Sequence, residues 1–242
     1  MIVAIDDASI AAIGRWPWTR SVHATLMDKL AQARPRAVLL DLVLSEPDPD
    51  PRQDQLLATA LRRAAPVVMP VLWQALPGEP LRVLEPVPLL RAEVQLGAAE
   101  LAVDADGVLR HAFVTAGPTG RPYPSLALAL LRAGGQKVHA DTALQHLPEP
   151  SVTASGWRRQ DRFLIRYTGP PGHVRHVSYV DVLRGAVPAD ALTGRYVLVG
   201  MTAQGMGDTL ATPVNADQRA MPGVEVLAHQ LDTCLLYTSD AA

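Results

Sequence analysis

The chain has 242 residues, 48% of them apolar and 19% charged, with a formal net charge of −2. A chain of that length makes one large domain or two small ones and buries roughly 70–75% of its surface, so its core needs no metal or disulfide. The near-neutral balance gives no electrostatic reason to bind nucleic acid or an anionic membrane surface, and a single cysteine, Cys234, excludes a disulfide framework and a thiolate metal site. Lysine occurs only at Lys29 and Lys137, an arginine bias that fits GC-rich codon usage better than an arginine-lined site.

Met1 leads straight into Ile2–Asp6, a β-branched strand, so no signal peptide is expected and Met1 reads as an internal methionine or a fragment boundary. A short helical turn follows from Asp7 or Ser9 to Ile13, with Gly14 as its left-handed cap. Val22, Leu26, Leu30 and Ala33 line one face of a helix over about Thr19 to Arg34. Ala37–Leu44 is a second, buried strand, and the strand–helix–strand order implies a parallel βαβ unit with a right-handed crossover. A turn at Ser45–Pro51 leads to a helix through Leu56, Leu57, Ala60 and Leu61, a third strand at Val67–Leu72, and a proline-rich loop from Trp73 to Pro88.

Gln95–Val103 and Val108–Ala116 flank Asp104-Ala105-Asp106-Gly107, which reads as a hairpin turn. Pro124-Ser125 caps a helix through Leu131, closed by Gly134-Gly135, and Ala140–Gly156 reads as surface structure. Arg162–Tyr167 and Tyr196–Val199 are further strands, with a short helix at Ser178–Gly185 between them. The sum is a single α/β domain: a mainly parallel sheet with βαβ units and an added antiparallel hairpin. The longest apolar runs, Ala37–Leu44 and Leu126–Leu131, fall far short of the roughly 20 residues of a membrane-spanning helix.

After Pro222-Gly223, the spacing of Val224, Leu227, Ala228 and Leu231 starts a helix that is expected to end after three turns. Residues 234–242 resemble a translated sequencing-library adapter. The native domain is therefore expected to cover 1–233 and to continue beyond it, with 234–242 a non-native tail.

Five groups of residues invite a chemical reading. Asp6 and Asp7 close the first strand, Asp41 lies near the end of the second, and Glu46 and Asp48 follow it. Ligands of open α/β sheets bind outside the carboxyl ends of strands, and convergent carboxylates there suit Mg²⁺ with a phosphorylated substrate. The plainer alternative is helix capping by Asp7 and turn chemistry at Ser45–Asp48. Arg15, Trp16, Trp18 and Arg20, with His23 one turn on, suit either an aromatic and cationic ligand rim or a hydrophobic lid with paired arginines.

The glycine-rich Gly200–Asp208 stretch lacks the Gly-Lys-Ser/Thr ending of a phosphate loop, and Leu210 stands where a dinucleotide fingerprint needs glycine. It reads better as a tight loop carrying Asp208 and Thr212 to a pocket mouth. Asp104-x-Asp106-Gly107 lacks the other ligands of a calcium loop, and His173 and His176 would point to opposite faces of a strand. No metal site, cofactor or catalytic constellation is assigned. The candidate ligand-binding set is Asp6, Asp7, Arg15, Trp16, Trp18, Arg20, His23, Asp41, Glu46, Asp208 and Thr212.

Several of these segments, taken in order, resemble the CHASE2 family of extracytoplasmic sensor domains. They are Ile5-Asp6-Asp7-Ala8-Ser9-Ile10, Gly14–Arg20 with His23-Ala24, Asp41 with Ser45–Asp48, and Asp104-x-Asp106-Gly107-Val108-x-Arg110. Pro124–Leu128, Val177–Gly185, Val197–Ala203, Gly207-Asp208 and Thr212-Pro213 complete the set. The resemblance implies a domain outside the cytoplasm, flanked by membrane helices absent from this chain, at the periplasmic face of a bacterial inner membrane. It also implies a missing output module: a histidine kinase, an adenylate or guanylate cyclase, or a diguanylate cyclase. The leading expectation is a non-enzymatic input domain that binds an unknown small-molecule ligand, in a receptor expected to form a homodimer. The alternative is a Mg²⁺-dependent hydrolase of a phosphorylated small molecule acting through Asp6, Asp7 and Asp41.

Overall fold

The computed structural model describes residues 1–74, 79, 81–137, 156–215 and 219–239. Strand β1 (Ile2–Ile5) is buried on both faces, as are β2 (Ala37–Leu40) and the centre of β10 (Tyr196–Met201). Unbroken apolar runs of this kind are what a parallel sheet covered by helices on both sides demands. β10 inserts between β1 and β2, pairing Ile2 with Leu198 on one side and Leu39 with Leu198 on the other, all parallel. The expected β1–helix–β2 unit therefore crosses over a strand that arrives about 150 residues later in the chain. Outward from β2 lie β3 (Val67–Gln74) and then β4 (Arg82–Leu84) and β5 (Gln95–Ala98), while β9 (His176–Ser178) closes the far edge beyond β1. Only β4 runs antiparallel in this sheet.

Strand alternation divides the core into two layers. Ile2, Ala4, Leu39 and Leu198 face α5 (Leu126–Ala133) and the terminal helix α7 (Gly223–Ser239). Val3, Ile5, Val38, Leu40, Val197 and Val199 face α2 (Arg20–Ala33), α3 (Pro51–Arg63) and α6 (Tyr179–Arg184). The short α1 (Asp7–Ile13) and α4 (Pro88–Arg91) are the other α-helices among the described residues. A second sheet of β6 (His111–Pro118), β7 (Tyr123–Pro124) and β8 (Trp157–Leu164) is antiparallel, and β11 (Thr209–Leu210) pairs with β12 (Met221–Pro222) as a ribbon. Glu100 holds the second sheet to the first: it accepts from Trp157 Nε1 at 2.8 Å and Trp73 Nε1 at 3.3 Å, and pairs with Arg159 at 2.6 Å.

Several expectations are corrected. The strand at Ala37–Leu44 stops at Leu40, because Leu42 turns back to donate to the Leu40 carbonyl at 2.9 Å. The loop expected from Trp73 to Pro88 contains the end of β3 and all of β4, although residues 75–78 and 80 lie outside the described residues. The turn at Asp104–Gly107 forms, closed by Asp104 N–H donating to Val108 at 3.0 Å. Its flanks do not pair with each other: β5 is taken up by the edge of β3, and β6 by β7 and β8. Gly14 has a φ of 115° but an extended ψ, so it ends α1 without the left-handed cap; Arg34 and Gly185 are the left-handed caps instead. The surface structure expected at 140–156 lies outside the described residues up to 155. Helix α7 runs past the three turns expected, to Ser239, since Cys234, 1% exposed, continues the stripe of Leu227 and Leu231 into the core.

Two glycines allow close approach of helices to the sheet. A Cβ on Gly97 would lie 2.8 Å from the backbone of Leu126 in α5, and one on Gly200 would lie 2.7 Å from the Val224 side chain in α7. Gly200→Ala should therefore push α7 off β10, at a cost of about 1–3 kcal/mol. Thermal melts of the variant should show a lower Tm, and an unchanged Tm would mean that α7 does not seat as described.

Candidate functional site

Adjacent strands of the parallel sheet send the chain to opposite faces. From β2 it passes to α3 on one side, and from β10 it passes to α7 on the other. Such a reversal opens a crevice at the carboxyl ends of the two strands. Asp41 at the end of β2, Met201 at the end of β10, Asp208, and Gly223, Val224 and Leu227 of α7 line a cavity there of about 170 Å³. The Asp208 carbonyl accepts the Gly223 N–H at 2.9 Å, which fixes where α7 begins. Among the described residues nothing donates a hydrogen bond to the Asp41 carboxylate. Burial, reinforced by the charge of Asp208, pushes its pKa up to about 6. The start of α7 supplies the positive end of a helix dipole to the same cavity.

The segment after β2 also walls a second cavity, of about 410 Å³, lined by Trp16, Trp18, Arg20, His23 and Leu42 to Glu46. Val43 lines both. The groups here are largely committed to one another. Trp18 Nε1 donates to the Gly14 carbonyl at 2.9 Å, and its ring lies 5.0 Å from Tyr179 and 5.1 Å from Trp16. His23 Nδ1 is 2.9 Å from the Tyr179 hydroxyl, and burial first, then the Arg20 charge, lowers its pKa to about 4, so it is neutral near pH 7. Arg20 pairs with Asp54 at 3.2 Å and donates to the Glu46 carbonyl at 2.9 Å. The half-buried Trp16 ring remains as the open aromatic face, while Arg15 is exposed and lines neither cavity.

The remaining residues of the sequence set lie elsewhere. Asp6 caps α1, accepting from Ser9 N–H at 2.9 Å, Ser9 Oγ at 2.6 Å and Ser178 Oγ at 2.9 Å. Asp7 accepts from the Gln204 N–H at 3.2 Å, and Thr212 Oγ1 donates to Asn215 Oδ1 at 2.6 Å within its own turn. Asp6 and Asp7 are thus engaged apart from Asp41, which faces Asp208 in the strand-end cavity. Among the described residues no group of three or more His, Cys, Asp or Glu side chains is placed to hold a metal ion.

Sequence reasoning missed a third cavity, of about 460 Å³, where Glu225 of α7 meets Gly172, Val174, His176 and Arg219. The available signal was the four-residue spacing of Glu225, His229 and Thr233, polar residues recurring along a helix that otherwise reads as apolar.

The raised pKa of Asp41 has a defined sign. Its folded value, about 6, exceeds the 3.8 of an ordinary Asp, so the folded state holds the proton more tightly and stability falls as pH rises between those values. Asp41→Asn removes that burden. It should raise the Tm near neutral pH by roughly 2–6 °C, with the gain falling to about half by pH 5 and nearly vanishing by pH 4. Melts of both proteins across that range test it, and a pH-independent difference would show that Asp41 is not the titrating group.

No helix among the described residues is long and apolar enough to cross a membrane. No curated protein and no solved structure matches the chain. The family model described as the CHASE2 domain matches residues 1–242, the whole chain. The protein accordingly belongs to the CHASE2 family, extracytoplasmic sensor domains found in signalling receptors.

Proposed function

We propose that this domain is the ligand-sensing input of a bacterial transmembrane receptor, held outside the cytoplasm by flanking membrane helices. Its output module would be a histidine kinase, an adenylate or guanylate cyclase or a diguanylate cyclase, and this chain itself carries out no reaction. The ligand is a small molecule with a positively charged head, or a cation, seated between Asp41 and Asp208, with Trp16 at the rim of the adjoining cavity.

One observation carries this reading: among the described residues the carboxylate of Asp41 has no hydrogen-bond donor, in a cavity whose wall is the first turn of the terminal helix. Asp41 is half-buried, meets no donor among the described residues and faces a second carboxylate, an arrangement that suits a cationic partner. Such a partner would touch Val224 and Leu227 directly, and its preference for one seating of α7 would set the balance between two receptor states.

The test is a thermal-shift panel of primary amines and divalent cations at pH 7.5 against wild type, Asp41→Asn and Asp208→Asn. At least one cation should stabilise the wild type saturably, lose that effect in both variants, and bind more weakly below about pH 6, where Asp41 takes up its proton. If no cation shifts the wild-type melt, or if the shift survives in both variants, the strand-end cavity is not the sensing site.

A further inference from the structure

The terminal helix carries three buried polar side chains spaced by four: Glu225, His229 and Thr233, at 4%, 0% and 1% exposure. Each binds backbone N–H groups of the segment from Arg166 to Val174. Thr233 Oγ1 accepts from Arg166 at 2.9 Å, and His229 Nδ1 from the Thr168 N–H at 3.4 Å. The Glu225 carboxylate accepts from Gly172 at 2.9 and 3.0 Å and from Val174 at 3.0 Å. The segment is thereby fastened along α7, rung by rung, over two helical turns.

The top rung of this ladder is a wall of the 460 Å³ cavity, where Pro171, Gly172 and Val174 face the loop of Thr202–Gly205 across the opening. That volume lies within the range of small-molecule sites, roughly 300–1,000 Å³. The cavity's acceptors and donors are unequal. Glu225, its one carboxylate among the described residues, is already occupied by backbone N–H groups and has little left to offer a cation. Arg219 has no acidic partner among the described residues, and His176, Thr202 and Gln204 add further donors. Ile2, Pro171, Val174 and Pro222 supply apolar wall.

We infer that this cavity is a second binding site, for a small organic carboxylate with an apolar body. Its anion pairs with Arg219 while its body lies against Pro171 and Val174. Occupancy tightens the Gly172–Val174 rung on Glu225, and with it the fastening of the 166–174 segment to α7. The site is separate from the strand-end cavity and stands whether or not that cavity takes a cation.

Butyrate, hexanoate and benzoate, each against the amine of the same skeleton, are the probes. They are titrated by thermal shift into wild type, Arg219→Gln and Asp41→Asn. At least one carboxylate should stabilise the wild type saturably with its amine inert, Arg219→Gln should weaken its binding at least about tenfold, and Asp41→Asn should leave it intact. Hydrogen exchange in the carboxylate complex should slow at Gly172 and Val174 and then at Thr168 and Arg166. The site is refuted if none of the carboxylates gives a saturable shift, or if the shift persists in Arg219→Gln. The coupling is refuted if protection stays within 202–205. A response to amines that is lost in Asp41→Asn speaks for the strand-end cavity alone.

Discussion

The close approach of α7 to β10 at Gly200 is the contact on which the functional end of the domain depends. β10 is central to the sheet, with β1 on one side and β2 on the other, and α7 follows it after the β11–β12 ribbon. With no side chain at Gly200, Val224 packs directly on the strand, which brings the first turn of α7 to the strand-end cavity. A longer side chain there would hold the helix away from Asp41 and open the wall that Val224 and Leu227 give the cavity. Close packing of this kind transmits small displacements, because a dense core shifts as packed units rather than deforming smoothly.

The buried and half-buried carboxylates divide into two kinds. Asp6, Asp54, Glu100 and Glu225 each accept two or more hydrogen bonds, from hydroxyls, indoles, arginines or backbone N–H groups. They join segments distant in the chain, and their charges are satisfied by the fold itself. Asp41 receives no such donor among the described residues and has a second acid as its electrostatic neighbour. Leaving a carboxylate in that state costs stability, and the fold offers no structural return for it at this position. A group that burdens the free domain and would be relieved by a cation is the arrangement expected of a binding site rather than of a scaffold.

Much of this was legible in the residues. The 3.6-residue period of α2, the capping role of Ser125 at α5 and the β-branched runs of β1 and β10 all follow from local chemistry. Asp41 was singled out because it lies near a strand end, where ligands of α/β sheets bind, and Asp208 because its glycine-rich loop reads as leading to a pocket mouth; the structure lines one cavity with both. Strand order was not legible: nothing local in Tyr196–Met201 says that it enters between β1 and β2, since any buried parallel strand has the same composition. The partners of β5 and β6 were missed for a related reason. A tight turn at Asp104–Gly107 forms with or without pairing of its flanks, and pairing was decided by which edges lay open. Arg20 and His23 were legible as residues but not as partners, because Asp54 and Tyr179 come to them from 34 and 156 residues away.

Helix α7 belongs to two cavities through different residues of the same first turns. Val224 and Leu227 line the strand-end cavity, and Glu225 lines the larger one. The helix is buried on its apolar stripe by β10 and α5 and on its polar stripe by the 166–174 segment, so a shift that relaxes one contact strains the other. Ligands that favour the same seating of α7 would strengthen each other's binding, and ligands that favour different seatings would compete without touching. Linkage makes the effect mutual, whichever ligand binds first. A sensor with both proposed sites would read a combination of signals through one helix, and the geometry that permits it is the placement of Glu225 directly beside Val224.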